Sequence, residues 1–279
     1  FIKHHTYINQ RVTYSTGTMV DYSCLLAAIC FIISNSLGIA VVLLDINRDH
    51  FDFEEWKALD PQFLMQEWEH RRNIAPLYQT ANIFNALAWF FFSVPIVQLA
   101  WALSRGGKRK IGVHAAIGAF AMAGCFSELI SRLLVFGSWT SANWIAKSFN
   151  LNYWLPDGIT QGSADMIGWR ALEVTFIITE GLVLWIDAFE WIALFCILIL
   201  IYFSVGTQLK ENRTLSMWWA RLGLLIAFLT FIDFSADVLR LEEWQVFAQI
   251  AIIVAVLNTL ILLPLWLIIL SFQLHKALP

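Results

Sequence analysis

The sequence predicts an all-α fold: a polytopic helical membrane protein with six transmembrane helices plus an outer amphipathic or extended helix. Three observations predict it. Hydrophobic residues make up 59% of the 279-residue chain and charged residues 14%, against about 25% charged in an average soluble domain; the mean hydropathy is +0.65. Apolar runs recur at lengths sufficient to cross roughly 30 Å of hydrocarbon as a helix. Lys and Arg gather in short connections between those runs, as the positive-inside rule expects of cytoplasmic loops.

The spans follow in order. The first is expected over Asp21–Asp45, the second over Leu77–Ser104 and the third over Ile111–Gly137. The fourth ends near Gln208, the fifth covers Met217–Leu241 and the sixth Val246–Leu274. The connection 104–110 carries Arg105, Lys108, Arg109 and Lys110, and 209–214 carries Lys210 and Arg213. Lys3 and Arg11 precede the first span and Lys276 follows the last. Both termini are therefore expected on the cytoplasmic or equivalent side. The Asn212 sequon falls on that side and is discounted. The chain starts at Phe1, as a sequence that has lost an N-terminal piece would.

Two segments are expected outside, within a single transmembrane domain spanning 1–279. Residues 47–76 are acidic with interspersed aromatics, and Phe63, Leu64 and Trp68 fit a short amphipathic helix at the interface. Residues 138–168 are rich in Trp, Asn and Gly. Trp139, Trp144, Tyr153 and Trp154 suit the headgroup level, where a ring has an apolar body and a polar edge. Residues 169–208 hold no turn signal, and a helix of that length measures about 60 Å. We expect one crossing there, with 169–187 as an outer extension or interfacial helix.

Charge inside such a chain is the informative anomaly, because an unpaired ion in hydrocarbon costs several kcal/mol. Residues 126–133 read FSELISRL and 234–241 read FSADVLRL. Phe-Ser and Arg-Leu recur at one offset, which fits either chance recurrence of these abundant residues or a parallel repeat of two hairpins over 77–137 and 188–242, a device known in transport folds. Glu128 lies four residues before Arg132 and Asp237 three before Arg240, which puts each acid and base on one helix face. Glu173, Glu180 and Asp187 follow at intervals of seven, and Glu190 lies one turn on. Asp233 sits deeper in the fifth span. These acids are expected to face arginine, water or a cation, and Glu180, beside Gly181, is the stripe member in the most apolar surroundings. Asn82, Asn85, Gln98, Gln249 and Asn258 are expected to turn inward between helices.

Other chemistry is not indicated. Cys24, Cys30, Cys125 and Cys196 lie in apolar runs without metal or disulfide spacing. Only His114 of the six histidines falls in a span, so no metal site or cofactor is expected. Neither a phosphate loop nor a nucleophile motif occurs, and no basic block points to nucleic acid. No catalytic residue is assigned; Glu180 and Asp187 are the only acid–base candidates for lipid chemistry. The acid-lined interior points to a channel or transporter for protons, cations or a small solute. A non-catalytic structural or accessory subunit of a larger membrane complex is the alternative. The expected partners are the lipid bilayer and either other membrane subunits or further copies of the chain.

Overall fold

The computed structural model describes residues 17–45, 61–104, 111–148, 164–208, 215–241 and 246–277. These are almost entirely helical, with no strand among them. The helices are α1 (Gly17–Asp45), α2 (Pro61–Ser104), α3 (Ile111–Ser148), α4 (Ala164–Gln208), α5 (Met217–Leu241), α6 (Val246–Val256) and α7 (Leu263–Ala277). A π-helical segment, Leu257–Leu262, joins α6 to α7. Six stretches are long and apolar enough to cross a membrane, the sixth running from Ile252 to Leu274 through the π segment.

Several helices extend further than the apolar runs suggested. The part of the 47–76 segment from Pro61 onward is helix, continuous with the second span through Pro76 and Pro95. The charged residues Glu67 to Arg72 interrupt the hydrophobic pattern, but they are good helix formers. α3 likewise runs on to Ser148, and α4 begins at Ala164; the remainder of both outer segments lies outside the described residues. α4 is one unbroken helix of 45 residues, about 68 Å long at 1.5 Å per residue. Residues 169–187 are therefore an extension of the fourth span.

Helices adjacent in sequence are adjacent in space. α1 packs on α2, α2 on α3, α3 on α4, α4 on α5 and α5 on α6, while α7 returns to α1 and closes a ring. Contacts at the seams pair antiparallel helices. The Ser34 hydroxyl donates to the Ala81 carbonyl at 2.9 Å, and Trp219 Nε1 donates to the Trp266 carbonyl at 3.1 Å. The two indoles stack with centroids 4.5 Å apart. That approach requires Gly223, where an added Cβ would come within 2.9 Å of Trp266 Nε1. Gly124 similarly lets Trp89 close on α3, and Trp89 meets Phe31 and Phe92 edge to face. Cys24, Ala27 and Ala28 are small enough to bring α1 onto α2, as close helix packing in lipid demands.

The outer surface reverses the pattern of a water-soluble bundle. Phe189, Phe228, Ile253 and Phe272 are each more than 60% exposed, whereas Glu128, Ser131, Glu190 and Asp233 are almost fully buried. Apolar side chains outside and acids inside fit a bundle whose solvent is lipid.

A buried carboxylate cluster at the α2–α3–α4 seam

Three helices deliver the polar centre. α3 contributes Glu128, Ser131 and Arg132, which lie on one face by their three- and four-residue spacing. Glu128 is fully buried. Arg132 Nε donates to Glu128 Oε1 at 2.5 Å and Nη2 to Oε2 at 3.1 Å, so the guanidinium grips both carboxylate oxygens in a fork. Nη1 donates to Asn82 Oδ1 of α2 at 2.7 Å, and Nη2 reaches Asp187 Oδ2 of α4 at 3.4 Å. Asn85 Nδ2, one turn along α2 from Asn82, donates to Glu128 Oε1 at 2.6 Å. The Ser131 hydroxyl donates to Asp187 Oδ1 at 2.5 Å.

Glu190 completes the centre. It follows Asp187 by three residues on α4 and is 2% exposed. Its carboxyl lies beside that of Glu128, within 4.8 Å, while Oε2 is buried with no hydrogen-bond partner. Glu128, Asp187 and Glu190 each present an oxygen within 4.8 Å of the other two. Asp237, buried on α5, is close enough to act electrostatically on Asp187. Asp233 is buried one turn earlier on α5.

The structure thus brings Glu128, Arg132, Asp187 and Asn85 into one hydrogen-bonded cluster, with Asp237 at its edge. Asn258 is elsewhere: fully buried in the π segment, with Nδ2 donating to Thr230 Oγ1 of α5 at 2.8 Å and Oδ1 without a partner. Gln98 is half-buried on α2, thirteen residues past Asn85 and so about 20 Å further along the helix. The side chains of Glu173, Glu180, Arg240 and Gln249 lie outside the described ones, although their positions fall on α4, α5 and α6. A Cβ on Gly181 would meet nothing within 4 Å, so no described element packs closely there.

Two members of the centre carried weak sequence signals. Glu190 extends the acidic stripe but departs from its seven-residue interval; its three-residue step from Asp187 is what turns it toward Glu128. Asn82 is one helical turn from Asn85, and polar residues at that spacing mark a shared face. The sequence carries no metal-ligand spacing because the three acids come from two helices more than fifty residues apart. Their mutual distance is nevertheless short enough for a small cation to bridge them. Comparison with protein-family models, with curated proteins and with solved structures finds no match.

Proposed function

We propose that the chain is a multi-pass membrane transport protein that moves protons through the centre formed by Glu128, Arg132, Asp187 and Glu190. The charge imbalance at that centre carries the proposal: three carboxylates within 4.8 Å of one another face one guanidinium. Two ionised groups at that separation repel by about 3.5 kcal/mol at an effective dielectric constant of about 20. Arg132 directs its donors to Glu128, Asp187 and Asn82. Glu190 is left beside two further acids, with one oxygen lacking any donor. A carboxyl–carboxyl contact needs a proton as its donor, and a proton between Glu190 and Glu128 supplies it. Buried acids that must take up a proton, and that lie next to a fixed countercharge, are the usual elements of proton relays in membranes.

On this reading both termini lie on one side, and the basic connections 104–110 and 209–214 favour the cytoplasmic or equivalent side for it. The surrounding bilayer is then the main partner of the apolar surface.

Proton flux into liposomes reconstituted with the purified protein, read by an entrapped pH dye, tests the proposal. Glu190→Gln keeps the shape and a donor toward Glu128 but cannot release a proton. Flux should fall by about tenfold or more while the protein stays folded. Equal flux in the variant, or none in the wild type, would overturn the reading. No flux, together with a membrane partner that co-purifies with wild type and is lost from the variant, would favour the accessory-subunit alternative. One divalent cation would also neutralise a charge of minus two. Stabilisation by added Mg²⁺, Ca²⁺ or Mn²⁺ that Glu190→Gln abolishes would make the centre a metal site instead.

A further inference from the structure

A cavity of about 720 Å³ lies between α1, α2 and the α6–π rod. Its volume falls within the roughly 300–1,000 Å³ typical of small-ligand sites. The mouth is formed by Leu43, Ile252, Ile253, Leu257 and Ile261, each between 40% and 67% exposed. On the membrane reading these side chains face acyl chains, so the opening faces the bilayer.

The floor is chemically different. Asn82 and Asn85 line it from α2, and Ser34 and Asn35 from α1. None of the described residues lining the cavity is charged. The amide bonds can be accounted for one by one. Asn82 Nδ2 donates to the Tyr78 carbonyl and its Oδ1 accepts from Arg132. Asn35 Nδ2 donates to the Phe31 carbonyl and its Oδ1 meets the Thr259 hydroxyl. Asn85 Nδ2 donates to Glu128. An amide nitrogen carries two protons, so each of the three has one N–H still to donate, and Asn85 Oδ1 can still accept.

We propose that this cavity binds an uncharged single-chain amphiphile drawn from the bilayer, with its hydroxyl or ester head on Asn82 and Asn85 and its chain in the apolar mouth. A charged head finds no countercharge in the lining and would have to be desolvated. A pure hydrocarbon would leave the floor amides without partners. A molecule with a neutral, oxygen-bearing head and one aliphatic chain matches both ends. It reaches the site without leaving the lipid.

Asn82 and Asn85 touch the cavity with one edge and the charged centre with the other. A head group that draws the Asn85 amide toward the cavity lengthens its 2.6 Å bond to Glu128, removing a donor from the carboxylate beside Glu190. Asp187, Arg132 and, at the edge, Asp237 also face that pair; their charges are unaltered by a neutral head, so occupancy acts through the Asn85 hydrogen bond alone. This last step rests on the proton-transport reading; binding itself does not.

The probe is a monoacylglycerol with a diazirine in its chain, added to the full-length protein in nanodiscs, irradiated and mapped by peptide mass spectrometry. Labelling should concentrate on α1, α2 and the 252–261 stretch and should saturate. Unlabelled monooleoylglycerol should displace it, whereas oleate and hexadecane should not. Gly38 lines the cavity, and a Cβ there meets nothing within 4 Å. Gly38→Leu should therefore fold normally yet reduce labelling by about tenfold. Asn85→Leu should reduce it too, and Glu190→Gln should leave it intact while abolishing flux. Labelling spread evenly over the lipid-facing surface, equal displacement by oleate, or indifference to Gly38→Leu would overturn the proposal. Saturable, head-selective labelling of a protein that moves no protons would leave the binding site standing and remove the proton reading alone.

Discussion

Neutralising Arg132 is the most demanding perturbation of the charged centre. The guanidinium makes two bonds to Glu128, one to Asn82 and one long contact to Asp187, and its side chain is only 12% exposed. Arg132→Gln strands the Glu128 carboxylate, which is wholly buried. Removing one partner of a buried pair typically costs about 3–5 kcal/mol, most of it the cost of the charge left behind. Glu128→Gln alone should cost less, because Arg132 retains Asp187 and Asn82. The double variant removes both charges, so much of the first loss should be recovered. A double-mutant cycle should then give a coupling energy of about 2–3 kcal/mol. Arg132→Lys keeps the charge but not the fork and should fall between, at about 1–3 kcal/mol. Denaturation of the wild type and the four variants in one detergent, followed by tryptophan fluorescence, measures all of these. Additive losses, with a coupling near zero, would mean that Arg132 and Glu128 do not depend on each other and would refute the reasoning.

Packing and hydrogen bonding give further tests. Gly223→Ala sets a methyl 2.9 Å from Trp266 Nε1 and should destabilise by about 1–3 kcal/mol through overpacking, read as a lower melting temperature. Gly181→Ala meets open space and, lying inside a helix, should be neutral or stabilising by about 0.5–1 kcal/mol; a clear loss there would indicate an undetected close neighbour. Thr259→Val keeps the volume but removes the hydroxyl whose single proton, shared with the Ala255 carbonyl at 2.6 Å, meets Asn35 Oδ1 at 2.7 Å. It should cost about 1–3 kcal/mol by leaving that acceptor unsatisfied, and an unchanged melting temperature would show the α1–π seam to be held by apolar contact alone.

The six helices long and apolar enough to cross a membrane were legible because a crossing needs about twenty apolar residues, and runs of that length stand out in the sequence. Helix ends were less legible. Hydropathy stops at the membrane boundary, whereas α2 and α4 continue through charged residues that favour helix as strongly as leucine does. The Glu128–Arg132 pair could be read from spacing because both residues share a helix. The convergence of Asp187, Glu190, Asn82 and Asn85 on that pair depends on how α2 and α4 are rotated about their axes, and no single-helix periodicity encodes that rotation. The seven-residue interval through Glu173, Glu180 and Asp187 drew attention to one face of α4, yet the three-residue step from Asp187 to Glu190 defines the face that meets α3. The π segment left only Pro264 as a sign of its presence.

Pro264 explains how the ring closes. A proline within a helix lacks the N–H for the preceding turn, and its ring crowds the carbonyl four residues back. In the π segment the Leu263 N–H donates to the Asn258 carbonyl, five residues back. This widened turn moves the Leu260 carbonyl away from the proline ring. The widened turn also carries Asn258 and Thr259 side by side. Asn258 bonds to Thr230 on α5, and Thr259 meets Asn35 on α1. Two consecutive residues thereby join the sixth span to both of its neighbours, one on each side. Asn35, which meets Thr259, also lines the cavity, and α1 and the rod form two of its walls. The α2–α3–α4 seam, by contrast, is held by the Arg132 network. Movement that admits a ligand is therefore expected at the α1–α6 edge, where few polar contacts must break, while the charged centre keeps its geometry and senses the ligand through Asn82 and Asn85.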